Sequence, residues 1–221
     1  MNLTLFDLDH TLLPIDSDYS WGEFSLKIGW VDPASFKAKN DQFFADYQAG
    51  QLDIHEYVKF STEAVRLKGP ELAAQAHLQF MQEVVLPNIK PSALNLIKQH
   101  QDAGDHVMIV TATNEFVTRP IATALGVTEL IAVELARDSK GWITGEILGT
   151  PSFKTGKVTR VEQWLSAHQK SWQDVHMTFY SDSLNDLSLL EKAQTPVATN
   201  PDARLRQLAT DRGWRILELF T

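Results

Sequence analysis

Leu3–Phe6 is a short apolar run of strand-forming residues that stops abruptly at Asp7-Leu8-Asp9. A run with no polar face belongs inside a parallel sheet that is covered on both sides. The same figure returns twice. His106–Val110 (HVMIV) leads into Thr111, and Val175–Tyr180 leads into Ser181-Asp182. Helical spacing follows or precedes each run: Ser92–Ala103 before Gly104, Glu115–Leu125 before Gly126, Phe153–His168, Leu184–Ala193 and Ala203–Arg212. Glu129–Leu135 and Pro196–Ala198 read as further strands. Trp142–Leu148, between two glycines, reads as half a hairpin. Strands alternating with helices predict an α/β fold with a doubly wound, mainly parallel sheet.

One stretch breaks the alternation. From about Asp16 to Asn88 the apolar residues keep helical spacing over Ser35–Tyr47, Ile54–Leu67 and Glu71–Val85. Gly50 and Gly69-Pro70 punctuate them. This stretch reads as a helical insert after the first strand.

In doubly wound sheets the ligand crevice lies beyond the carboxyl ends of the strands. The polar residues found there are therefore the ones to interpret. Asp7 and Asp9, two apart at a strand tip, tend to face the same way. Two such carboxylates repel unless a cation lies between them, and oxygen donors favour magnesium. Asp182 brings a third carboxylate to the same crevice. Asp186 falls in the first turn of the next helix, where an acid also suits the helix dipole. Thr111 and the neighbouring N–H groups, that of Ala112 included, form a donor set for phosphate oxygens. Lys157, in FKTGKVTRV, would neutralise charge in the crevice, and Lys154 competes with it by position.

Composition narrows the function classes. The formal net charge is -8, and no dense Lys/Arg block is present, so nucleic acid is not an expected partner. There are no cysteines, which removes a thiol nucleophile and thiolate-bound zinc. No apolar run is long enough to span a bilayer, and the N-terminal stretch is interrupted by aspartates. A cytoplasmic protein without stable membrane association is expected. Its oligomeric state is not legible.

Taken in order, these residues resemble the four motifs of the haloacid dehalogenase-like superfamily. Asp7-Leu8-Asp9-His10-Thr11-Leu12 is similar to its D-x-D-x-T-L motif. Thr111 matches the second motif's Ser/Thr, and Lys157 the basic third. Ser181-Asp182-Ser183-Leu184-Asn185-Asp186 is similar to G-D-x-x-N-D, with Ser181 in place of glycine. The resemblance covers almost the whole chain and is strongest to the phosphoserine-phosphatase-like branch. The stretch D-S-D-Y-x-W-G-E-F and the later T-x-T resemble the group holding histidinol-phosphate and phosphatidylglycerophosphate phosphatases.

The resemblance implies residues 1–15 and 89–221 as an α/β core and 16–88 as a helical cap. It implies a magnesium-dependent phosphatase with Asp7 as nucleophile and an aspartyl-phosphate intermediate. Asp9 would act as acid and base. Magnesium would be held by Asp7, Asp9 through its main-chain carbonyl, and Asp182, with Asp186 and Asn185 behind them. Thr111, Ala112, Lys157 and Asn185 would contact phosphate.

The substrate would be a small phosphorylated metabolite such as histidinol phosphate or phosphoserine. Asp16, Asp18, Trp21 and Glu23 are candidates for binding its cationic group. The competing reading makes Asp16 to Asp18 a helix cap and Trp21 core. Arg66 and Arg119 are better read as solvated or salt-bridged, and His10 receives no role. Three alternatives remain: a lipid-phosphate phosphatase, a phosphotransferase, and a receiver-like phosphorylation switch. A receiver is shorter and carries no helical insert after its first strand.

Overall fold

The computed structural model describes residues 1–220. In chain order its elements are β1 (Asn2–Phe6), α1 (Ser17–Lys27), α2 (Pro33–Gln48), α3 (Ile54–Ser61), α4 (Glu63–Lys68) and α5 (Pro70–Phe80). A π-helical turn (Met81–Val85) runs on into α6 (Leu86–Asn88), and α7 (Pro91–Asp102) follows. Then come β2 (His106–Asn114), α8 (Glu115–Ala124), β3 (Glu129–Val133), β4 (Leu135–Arg137), β5 (Ile143–Ile147) and α9 (Thr155–Ala167). The chain closes with β6 (His176–Ser181), α10 (Leu187–Leu190), β7 (Thr195–Thr199), α11 (Ala203–Asp211) and β8 (Arg215–Leu217).

Six strands form one parallel sheet in the order β3-β2-β1-β6-β7-β8. Chain order runs outward in both directions from β1 and β6, so the crevice lies where the tips of β1, β2 and β6 meet. Alternation along the strands splits the core into two layers. Leu3 and Leu5 of β1 pack with Met108, Val110, Met177 and Phe179 toward α9 and α11. Phe6 faces the other way with Ile109 and Tyr180, in a cluster continuous with Trp21, Val58 and Phe80 of the helices after β1.

Those helices start where side chains supply the missing acceptors. Asp16, Asp32 and Asp53 each cap a helix, and Pro33 and Pro70 occupy first turns, where their missing N–H costs nothing. No helix among the described residues is long and apolar enough to cross a membrane.

The structure corrects several sequence expectations. Helix α1 has no clear apolar stripe, since Ser17, Asp18, Gly22 and Ser25 are buried in it alongside Trp21 and Phe24. Its existence rests on the Asp16 cap and on packing. Thr111 does not end its strand, because β2 runs to Asn114 past a register shift. The stretch expected as one strand at Glu129–Leu135 divides into β3 and the start of a small antiparallel pair, β4 with β5. Leu184–Ala193 is a 3-10 turn over Leu184–Asp186 followed by the short α10. The edge strand β8, of three residues, was not expected from the sequence.

Candidate active site

The site grows from the turn after β1. Three N–H groups, of Thr11, Leu12 and Leu13, converge on the Leu8 carbonyl, and His10 takes a left-handed φ of 56°. The tight turn is fixed from outside by Asn200, whose amide donates to the His10 carbonyl at 2.8 Å. Asp7 is thereby held at the tip of β1, 5% exposed, and its own N–H pairs with the Tyr180 carbonyl at 2.9 Å.

Lys157 reaches this point from the first turn of α9. Its ammonium lies 2.8 Å from Asp7 Oδ1 and 2.7 Å from Asp186 Oδ2, and the residue is 2% exposed. Gly156 allows the approach, since a Cβ there would overlap the Pro151 carbonyl oxygen. The choice between the two lysines is thus decided. Lys154, at φ 52°, donates instead to the Gly50 carbonyl at the end of α2. Burial lowers the stability of the lysine's charge, but the two carboxylates outweigh it and hold its pKa above the usual range.

Asp186 is more than a helix-start acid. It is buried, and the Ser181 hydroxyl donates to the same Oδ2 at 2.9 Å. The serine that replaces the motif glycine therefore braces Asp186. Burial raises the Asp186 carboxyl to about 6 even with Lys157 beside it. Among the described residues no basic side chain lies within hydrogen-bonding distance of Asp182, and the Thr11 hydroxyl donates to its Oδ1 at 3.5 Å. Burial, then Asp7 and Asp186, push its pKa well above the ordinary value.

The Asp9 carboxylate is held by two donors from separate elements. Oδ1 accepts the Ser17 N–H at 2.7 Å, and Oδ2 accepts the Thr113 hydroxyl at 2.9 Å. Among the described residues no three His, Asp or Glu side chains converge to hold a metal ion. Burial, with Asp16 nearby, raises the Asp9 pKa to about 6, which suits a group that must hold and release a proton.

A small cavity of about 40 Å³ opens from Asp7 and Asp9. Thr111, Ala112 and Thr113 line it, together with Asp16, Asp18, Tyr47, Tyr57, Phe43 and Phe44. Thr111 Oγ accepts the Thr113 N–H at 3.1 Å, which leaves its own proton for a ligand. Asp18 is 6% exposed. Burial, then Asp16 and Asp9, raise its pKa well above the ordinary value.

Three predicted residues lie elsewhere. Trp21 is 2% exposed in an aromatic cluster with Phe24, Phe80, Phe116 and His77. Glu23 pairs with Lys37 at 3.6 Å. Asn185 donates to the Tyr47 carbonyl at 3.1 Å, so its amide is committed to the end of α2 and not to the cavity. Arg66 and Arg119 do not line the cavity. Arg66 donates to the Lys59 carbonyl and Arg119 pairs with Glu115. The residues missed by sequence reasoning are Thr113, Ser181, Tyr57 and the Phe43-Phe44 pair. The T-x-T spacing was the one available signal for Thr113, since period two puts it on the Thr111 face.

Comparison with known proteins places the chain in a family. The sequence matches the family model for haloacid dehalogenase-like hydrolases over residues 4–191. A histidinol-phosphatase of Neisseria meningitidis serogroup C is 43% identical over 217 residues, 98% of each chain. A phosphoserine phosphatase of Mycobacterium tuberculosis is 31% identical over 221 residues, covering 96% of this chain and 68% of its own. A protein with unknown function from Bordetella pertussis Tohama I has a crystal structure that superposes with a TM-score of 0.93 at 43% identity, covering 99% of both chains. A substrate-bound phosphoserine phosphatase shares the fold with a TM-score of 0.69 at 18% identity, covering 98% of this chain and 92% of its own.

Proposed function

The chain belongs to the haloacid dehalogenase-like hydrolase family and is a phosphatase; from that premise we propose that it hydrolyses a small cationic phosphomonoester, histidinol phosphate first among them, through an aspartyl-phosphate at Asp7. One observation carries the reading. Asp7, held in the buried Asp7–Lys157–Asp186 chain, lines a cavity that Asp16, Asp18 and the rings of Phe43, Phe44, Tyr47 and Tyr57 line as well. A phosphoryl group suits the lysine-braced Asp7, and an imidazolium or ammonium suits the acids and rings.

The donor set fits magnesium. Asp7, Asp182 and Asp186 carry three negative charges against the one positive charge of Lys157, a formal excess of two. Asp182 lacks a cationic partner among the described residues, and every available donor is a hard oxygen. Asp7, Asp182 and the Asp9 main-chain carbonyl would hold the ion, with Asp186 behind them. Bound there, it would draw charge from the phosphoryl oxygens and fix the in-line geometry.

The chain's own groups account for the rest. An Asp7 oxygen bonds to phosphorus as the ester P–O bond breaks. Asp9 gives its proton to the departing alkoxide, which leaves as the alcohol. Asp9 then takes a proton from water as the water oxygen bonds to phosphorus. The Asp7–phosphorus bond breaks, and inorganic phosphate leaves. Lys157 has a third proton for a phosphoryl oxygen, and Thr111 and the Ala112 N–H supply two more donors. The helices of residues 16–88 act as a cap over the core formed by 1–15 and 89–221, with Asp16, Asp18 and Tyr57 reading the cationic end.

Phosphate release from a panel of phosphomonoesters at fixed magnesium tests the reading. The highest kcat/KM is expected for an ester bearing an imidazolium or ammonium. Preference for a neutral ester such as glycerol phosphate would overturn the cationic assignment, and no turnover of any ester would overturn the whole.

A further inference from the structure

The second threonine of T-x-T is not used by the mechanism above, yet its hydroxyl makes one of the two hydrogen bonds to Asp9. We infer that Thr113 is a positioning residue that fixes the orientation of the Asp9 carboxyl group. The inference rests on the reading of Asp9 as acid and base.

The argument begins with the strands. β1 ends its pairing at Phe6 opposite Ile109, while β2 continues to Asn114. The extension carries Thr113 past the tip of β1 to the level of the turn that holds Asp9. Thr113 is 7% exposed, and its hydroxyl reaches Asp9 Oδ2 at 2.9 Å across a sequence separation of 104 residues.

Oδ1 accepts the Ser17 main-chain N–H at 2.7 Å, and Oδ2 accepts the Thr113 hydroxyl. The buried Ser17 hydroxyl lies beside the same carboxyl group. Donors on both oxygens, from two separate elements, fix the carboxyl plane. Without the Thr113 hydroxyl one side of that plane is released, and the Asp9 carboxyl no longer faces the leaving oxygen in one geometry.

The consequence is selective. kcat/KM covers the steps through release of the alcohol. A basic alkoxide needs the Asp9 proton in that step, whereas p-nitrophenolate leaves without it. Thr113→Val keeps the shape and removes the hydroxyl. It is expected to lower kcat/KM for an alkyl phosphate about ten- to hundredfold, within the range attributed to a general acid. For p-nitrophenyl phosphate the loss is expected to stay within about threefold, because the acid contribution is not called on there. Thr113→Ser is expected to restore the alkyl rate, and Thr113→Ala to repeat the selectivity if the valine packs badly.

Asp9→Asn, measured on the same two esters, separates the layers. If Asp9→Asn shows the selective loss and folded Thr113→Val and Thr113→Ala do not, the inference about Thr113 is overturned alone. If Asp9→Asn loses both esters equally, the acid role fails and the inference fails with it. A loss without selectivity in the Thr113 variants, or no rescue by serine, also overturns it.

Discussion

Lys157 Nζ bridges Asp7 Oδ1 and Asp186 Oδ2 at 2.8 and 2.7 Å, joining residues 150 and 29 positions away in the chain. The ammonium serves fold and chemistry together. Lys157→Met would leave two buried carboxylates without their cation, at about 3–5 kcal/mol. Denaturant unfolding in EDTA is expected to show a loss of that order. Turnover is expected to fall about 10²–10³-fold or more, as when a donor to a developing oxyanion is removed. Equal stability of the two proteins would show that the pair is not buried as described.

Asp7→Asn keeps the shape of the side chain and removes the anion proposed to attack phosphorus. It also removes one of the two charges facing Lys157. The fold is expected to survive, because Asp186 still holds the ammonium. Phosphatase activity is expected to vanish, with no phosphoenzyme detectable by acid quench and mass spectrometry. A labile phosphoryl adduct on another residue of this variant would sink the nucleophile assignment.

Magnesium is expected to raise the melting temperature. Saturation at one hundred times Kd would add about 2.7 kcal/mol. Asp182→Asn is expected to remove most of that gain. In EDTA the same variant should be no less stable than the parent at pH 8, since it deletes an anion disfavoured by burial and by Asp7 and Asp186. A retained magnesium shift in Asp182→Asn would move the ion elsewhere.

His77 supplies a pH dependence away from the site. Its ring stacks on Trp21 with centroids 5.6 Å apart, and Nε2 lies 3.2 Å from the Val117 carbonyl oxygen. Burial lowers its pKa from the usual histidine value. The unfolded chain therefore binds the proton at higher pH than the folded one. The contribution is fully present above about 6.5 and is lost as pH falls through the folded value. The denaturation midpoint is expected to drop less between pH 8 and pH 5 in His77→Gln than in the parent. Parallel drops would assign the acid sensitivity to other groups.

Much of this was legible in the residues. Apolar strands ending at Asp7, Thr111 and Asp182 announced the sheet and its crevice, because burial on both faces demands continuous apolar runs and strand tips are where polar groups reach solvent. The helical insert was legible from Phe36, Phe43, Phe44 and Tyr47 at helical spacing. Helix α1 was legible only through its cap at Asp16 to Asp18, because tertiary packing buries its Ser17, Asp18, Gly22 and Ser25 and hides the periodicity.

Distances between remote segments were decided by the tertiary structure alone. The sequence placed Lys154 and Lys157 equally near the crevice. One turn of helix, opened by Gly156, sends Lys157 to Asp7 and leaves Lys154 on the end of α2. The sequence named no partner for the Asp9 carboxylate; the extension of β2 brings Thr113 to it. Periodicity and motif report what a residue's neighbours in the chain require. Which oxygen meets which proton depends on how separate elements pack, and no local pattern encodes that.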